Sequence, residues 1–185
     1  LRSELVLFAE NMDKDIVLTP DEEAWFVALA REYRVDLEKL NQQQVVNELL
    51  LRVDLVPASL ALAQAANESA WGTSRFTVQG NNIFGQWCYE EGCGMVPARR
   101  AIGAKHEVKV FDTIQSSVKA YFLNINTHES YSYLRDLRAQ MRNRELKLDP
   151  MSIAIGLGRY SQRGDRYVDE IQRIIIQNNL RDRDG

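Results

Sequence analysis

Glu68 is the residue whose setting points most directly to chemistry. It lies in the last turn of an Ala-rich segment running from Ala58 to Ala70, and between Pro57 and Trp71 it is the one ionisable side chain. Helical spacing sets it on one stripe with Ala61, Gln64 and Ala65. An apolar setting disfavours a carboxylate, and so does the negative end of a helix dipole. Trp71, three residues on, is placed to pack against it. A carboxyl kept protonated this way is what a general acid requires. Two structural roles compete: a solvated Glu on the outer face, or a buried ion pair with an Arg.

The other candidates cluster downstream. Trp71, Phe84, Trp87 and Tyr89 crowd a Gly-rich stretch. Aromatic faces stack on sugar rings through C–H groups. Core packing is the competing use, above all for Phe84 and Trp71, whereas Trp87 and Tyr89 flank Cys88 in a loop, which favours exposure. Cys88-Tyr-Glu-Glu-Gly-Cys93 followed by His106 starts like a zinc-ligand run. The next histidine, His128, falls far outside the gap of roughly 3–5 residues that such a site needs, so no metal and no cofactor is expected. The two thiols either close a short loop or stay reduced. Neither His106 nor His128 has the neighbours of a catalytic triad.

These residues need a scaffold, and composition supplies the broad class. The 185 residues are 45% apolar and 26% charged, with ten Gly and four Pro, a globular balance. A chain of this length hides roughly 70% of its unfolded surface, enough for one sizeable core. The net charge of −3, from 23 basic and 26 acidic residues, argues against a nucleic-acid partner. No apolar run reaches the ~18 residues of a membrane span. No leader is visible and no initiator Met opens the chain, which reads as a processed or trimmed product.

Helices dominate the pattern. Thr19-Pro20-Asp21-Glu22 is a capping-box start with Pro at the first helical position; the helix should run to about Tyr33. A second should span 37–52. Pro57 opens the Ala-rich helix, and Gly72 is placed as the left-handed residue after it. From 81 to 111 the helical period vanishes. There 108–111 alternates like a strand, able to pair with 94–99 across a turn at Gly103. Helices should resume over about 113–126 and 132–144, then from Pro150 to near Gly156, and last over 167–178, with Tyr167, Ile171, Ile174 and Ile175 on one face.

Leu60-Ala-Leu-Ala-Gln-Ala-Ala-Asn-Glu68-Ser-Ala-Trp-Gly72, followed by Asn81-Asn82-Ile83-Phe84-Gly85, resembles the core motif of glycoside hydrolase family 73, the endo-β-N-acetylglucosaminidases of peptidoglycan. Within it, Arg52-Val-Asp-Leu-Val-Pro57, Trp71-Gly-Thr-Ser74, Cys88 with Cys93, Asn124-Ile-Asn-Thr-His128 and the tail from Gly158 through Tyr160 to Tyr167 are similar to the bacterial Bax-like branch. The resemblance covers roughly residues 50–180. It implies a mainly α, lysozyme-like (α+β) fold with a small β-hairpin lobe. Residues 1–50 would be an N-terminal helical segment packed on the core, and 51–185 the glucosaminidase domain. It puts Glu68 where the family has its general acid, Tyr160 where the family has a Tyr near the cleft, and Asn81, Asn82 and Phe84 in the loop that lines the sugar site. Asn67 departs from the Leu or Ala often found there. The resemblance also implies a periplasmic or envelope location with the leader removed, and so favours a Cys88–Cys93 disulfide. The partner it implies is the peptidoglycan glycan strand, with a monomer favoured.

Cleaving a glycosidic bond needs a proton for the leaving oxygen and relief of oxocarbenium charge. Glu68 supplies the first. For the second, the candidates are Glu107 on the expected strand, Glu90 or Glu91 in the Cys loop, or the sugar's own N-acetyl group with Tyr160 positioning it. Glu107 paired with Lys105 or Lys109 is the structural alternative. Two other functions compete: a lytic transglycosylase acting on the same strands, and a non-catalytic wall-binding or scaffold protein.

Overall fold

The structure is a computed structural model and describes residues 1–14, 17–98, 100 and 103–185. In chain order the helices are α1 (Arg2–Asp13), α2 (Pro20–Glu32), α3 (Gln42–Arg52), α4 (Ala58–Glu68), α5 (Arg75–Gly80), α6 (Ile114–Thr127), α7 (Ser132–Asn143), α8 (Pro150–Ala154) and α9 (Asp165–Gln177). The strands are β1 (Trp87–Cys88), β2 (Gly94–Met95) and β3 (Glu107–Lys109). With 59% helix and one small antiparallel sheet, the fold is the mainly α, lysozyme-like class expected from the sequence.

Side-chain caps set several helix starts. Thr19 accepts from the Glu22 amide while the Glu22 carboxylate accepts from the Thr19 amide at 2.7 Å, the expected box. Asn41 and Gln44 do the same for α3. That helix therefore begins at Gln42 rather than near Leu37, and the residues before it form turns. α9 starts at Asp165, slightly ahead of the expected boundary, and buries Tyr167, Val168, Ile171 and Ile175.

The chain divides into two compact units. The first is residues 1–55 with 125–148. Leu5, Phe8, Phe26, Leu29, Val45, Val46 and Leu49 form its core, with Phe8 stacked on Phe26 at 4.8 Å. Just past α3, the Asp54 side chain is only 2% exposed and faces three guanidinium groups. Arg142 bonds it at 2.8 and 3.1 Å, and Arg2 and Arg138 lie at 3.4 and 3.8 Å. Arg138, itself buried, also donates to Asn126 Oδ1 at 2.8 Å and to the Leu51 carbonyl at 2.8 Å. Burial pushes the Asp54 carboxyl up, but the Arg142 hydrogen bonds and the Arg138 and Arg2 charges outweigh it and hold the group below the usual carboxylate range.

The second unit is residues 56–124 with 149–185. At the start of α4, the Asp184 carboxylate accepts from the Ser59 amide at 2.8 Å and the Ser59 hydroxyl at 2.7 Å, supplying the cap that Pro57 lacks. Glu68 is the last helical residue. Beyond it the Trp71 amide reaches back to the Ala66 carbonyl at 2.8 Å, the closing bond of a Schellman motif. Ala70 (φ 51°), Trp71 (φ 56°) and Gly72 (φ 81°) are all left-handed. The left-handed run thus begins at Ala70 and takes in Gly72, because the closing bond falls two residues earlier than expected.

β3 is the middle strand of the sheet, ordered β1-β3-β2. Gly94 pairs with Lys109 and Met95 with Val108, and on the other edge Trp87 pairs with Val108 and Cys88 with Glu107. The expected hairpin pairing is present, though Arg99 and residues 101–102, before the expected turn at Gly103, lie outside the described residues. β3 ends at Lys109 because Phe111 gives its amide to the Gly80 carbonyl instead. A Cβ on Gly94 would sit 2.1 Å from the Val108 carbonyl oxygen, so this pairing admits only glycine.

Candidate active site

The end of α4 delivers Glu68 into a half-buried position of the second unit. Its Oε1 is buried and has no hydrogen-bond partner among the described residues. Burial pushes the carboxyl above the ordinary Glu range, and the Glu170 charge adds to this. The Tyr167 hydroxyl, the Arg163 charge and the Asn67 side chain pull the other way without cancelling it. Gly85 is left-handed (φ 63°), and a Cβ there would stand 3.8 Å from Glu68 Oε2. The Asn82–Gly85 loop therefore lies directly beside the carboxyl.

Tyr160 joins this cluster. Its hydroxyl donates to the Phe84 carbonyl at 3.0 Å, and its ring stacks on Tyr167 at 5.4 Å. Arg163 lies over the Tyr167 ring at 5.4 Å and is ion-paired with Glu170. Glu68, Tyr160, Tyr167 and the loop are thus brought together from three sequence regions.

The loop's own side chains are occupied elsewhere. Asn82 is 1% exposed: its amide donates to the Gln86 and Lys109 carbonyls at 2.9 and 2.7 Å, and its oxygen accepts from the Gln86 amide at 3.0 Å. Asn81 donates to the Phe111 and Asp112 carbonyls at 2.9 and 3.1 Å. Phe84 is buried, stacked on Tyr121 at 3.8 Å. The sequence reading had these three touching sugar. Asn82 and Phe84 have almost no side-chain surface to offer, and all three hold the loop in place.

The remaining aromatics are the reverse. Trp71 is 64% exposed, Tyr89 71% and Trp87 53%, the last stacked on His106 at 4.1 Å. Trp71, whose competing role was core packing, is exposed.

Cys88 and Cys93 form a disulfide. Glu107, directly opposite Cys88 in the sheet, is buried and accepts from the Gly92 amide at 3.2 Å and the Gly94 amide at 2.8 Å. Both oxygens hold the Cys loop, a use not foreseen among catalysis, Lys105 and Lys109. The two sulfurs and a Glu107 oxygen lie within 4.8 Å of one another, but sulfurs bonded to each other are not thiolate ligands. Glu90 and Glu91 are exposed at the loop.

Gln64, Tyr121 and Tyr167 form a buried chain next to Glu68 that the sequence does not assign to the site. Gln64 is fully buried, accepting from the Tyr121 hydroxyl at 2.6 Å and donating to the Tyr167 hydroxyl at 2.9 Å. A buried-face amide one turn before Glu68 in an Ala-rich helix was the available signal. Tyr167 stood in the tail that carries the family resemblance and on the apolar face of the last helix, whereas nothing marked Tyr121.

A family model described as glucosaminidase, mannosyl-glycoprotein endo-β-N-acetylglucosaminidase, matches residues 43–180. Protein bax of Escherichia coli (strain K12) is 34% identical over 149 residues, covering 80% of this chain and 53% of that protein. The chain spans about half the length of the curated relative it matches. No solved structure matches.

Proposed function

The chain belongs to the glucosaminidase family, and we propose that it cleaves β-1,4 glycosidic bonds of peptidoglycan glycan strands as an endo-β-N-acetylglucosaminidase, with Glu68 as general acid. The observation that carries this is the buried, unpartnered Oε1 of a carboxyl held above its usual range. A structural Glu would have a partner; a carboxyl whose burial is left uncompensated keeps the proton that a general acid gives.

Glu68 gives its proton to the glycosidic oxygen as the bond to the anomeric carbon breaks. Glu107 is a poor second group, because both its oxygens already accept loop amides. The reading that needs no second carboxylate is therefore preferred: the sugar's N-acetyl oxygen attacks its own anomeric carbon, and water then opens the cyclic intermediate. Tyr160, tied to the Phe84 carbonyl beside Gly85, positions that group. Trp71, Trp87 and Tyr89 offer exposed faces for further sugars. The working compartment is the periplasm or cell envelope.

The engagement of Glu107 also favours a second reading, a lytic transglycosylase, which uses one Glu and no water. Mass spectrometry of digested, purified peptidoglycan separates the two. Hydrolysis leaves reducing N-acetylglucosamine ends; transglycosylation leaves anhydro ends one water lighter. Intact strands after digestion, with protein still bound to them, would establish the non-catalytic wall-binding alternative.

A further inference from the structure

The two oxygens of the Glu68 carboxyl lie in different surroundings. Oε1 is sealed from solvent, while the residue as a whole is only half-buried, so a ligand reaches the carboxyl at Oε2. Oε2 faces Gly85. A Cβ on Gly85 would stand 3.8 Å from Oε2 and, chain neighbours aside, would meet no other atom within 4 Å. The space a side chain would take beside Oε2 is therefore open. The loop around this opening is tied on both sides. Before Gly85, the Phe84 carbonyl accepts from the Tyr160 hydroxyl at 3.0 Å, and the Ile83 amide donates to Ser117 Oγ at 3.3 Å. After it, the Gln86 amide donates to Asn82 Oδ1 at 3.0 Å, and the Gln86 carbonyl accepts from Asn82 Nδ2 at 2.9 Å. The Gln86 side chain donates to the carbonyl of fully buried Ser117 at 2.9 Å. With both neighbours anchored, Gly85 has no slack to back away from the carboxyl, and its left-handed backbone (φ 63°) also favours glycine.

We infer that Gly85 is a specificity-determining residue, whose missing side chain is the opening through which the glycosidic oxygen of a glycan strand reaches Glu68 Oε2. This rests on Glu68 being the general acid. Proton transfer needs the two oxygens within roughly 2.6–3.2 Å of each other. A glycosidic oxygen that close to Oε2 on the Gly85 side would overlap a methyl carbon standing 3.8 Å from the same atom. As the glycosidic bond breaks, the Oε2–H bond breaks with it. The proton and the electron pair of the broken C–O bond both end on the leaving oxygen, which becomes a hydroxyl. The N-acetyl oxygen takes the anomeric carbon, and Glu68 is left as a carboxylate. Oε1 stays sealed throughout.

The test reads access to Glu68 and turnover separately. A water-soluble carbodiimide with glycine methyl ester couples the amine to carboxyls it reaches, and mass spectrometry of the peptides reads Glu68 by itself. Wild type should be labelled at Glu68, and excess glycan strands should protect it. In Gly85→Ala, labelling of Glu68 should slow about tenfold and kcat/KM on glycan strands should fall about a hundredfold, the effect of displacing a reacting group by about 1 Å. Gly103→Ala is the control. Gly103 is also left-handed (φ 84°) with nothing within 4 Å of its Cβ position, so the variant takes similar backbone strain and should keep both rates. If Gly85→Ala does not fold, Gly85→Asn replaces it, because Asn tolerates the left-handed region; the same two losses are expected. The inference is overturned if Glu68 is unlabelled in wild type, if glycan strands do not protect it, or if either rate stays at the wild-type level in a folded Gly85 variant. Glu68→Gln separates the two claims. Wild-type activity there sinks the general-acid reading, while the labelling of wild type against Gly85→Ala still decides whether Gly85 opens onto Oε2.

Discussion

Asp54 in the first unit and Glu68 in the second each lie at or just past the C-terminal end of a helix, and burial pushes both carboxyls upward. They end on opposite sides of the ordinary range. Asp54 meets three guanidinium groups and is held low. Glu68 meets one buffered Arg and one phenol, keeps an oxygen without a partner, and stays high. Glu107 sides with Asp54, both its oxygens filled by loop amides. Burial alone does not mark a site; burial left uncompensated does.

Breaking the compensated side should have the largest effect on stability. Asp54→Ala leaves Arg138 buried without its carboxylate and should cost about 3 kcal/mol in chemical denaturation. A loss under about 1 kcal/mol would break the comparison, since surface pairs reach that much. The sign follows from the lowered pKa: the Asp54 contribution is present above its unfolded value and lost as pH falls through the lower folded value. Wild type should therefore lose this stability in acid, and the variant should not.

Reducing the Cys88–Cys93 bond comes next. Closing a loop this short is worth about 2 kcal/mol, and Tm under reductant should drop accordingly. Glu107→Ala should lower Tm as well, because it frees the Gly92 and Gly94 amides.

Glu68→Gln should move the other way, raising stability at neutral pH by roughly 0.5–2 kcal/mol, the usual range for relieving an active-site group. With a raised folded pKa, the Glu68 contribution is present below its unfolded value and lost as pH rises through the folded one. The gain in Tm should fade as pH falls through the ordinary Glu range and be gone below it, where Glu68 is protonated in both states. A variant less stable than wild type at neutral pH would show that Glu68 has a structural partner. Smallest is Ala70→Gly: relieving one left-handed non-glycine residue should add about 1 kcal/mol, read as a modest rise in Tm.

Local signals made much of the scaffold legible. Thr19, Pro20 and Glu22 act within four residues of one another, and the run of Ala marks α4 without any distant partner. Glu68 was visible for the same reason, as a charge where the pattern allows none. The misses are of two kinds, elements too short or boundaries too fine to show a period, and contacts across long sequence separations. β1 is two residues long and has no period to read. Asn82 looked like a sugar contact because its true partner, the Lys109 carbonyl, is 27 residues away. Gln64 meets Tyr167 across 103 residues, a pairing that spacing cannot reveal.

The most direct test of the central claim is reducing-end release from purified peptidoglycan by equal amounts of folded wild type, Glu68→Gln and Glu107→Gln. The expected result is release by wild type, a loss of about a hundredfold or more for Glu68→Gln, and a loss of only a few-fold for Glu107→Gln. Wild-type rates for Glu68→Gln, or a loss confined to Glu107→Gln, would contradict it.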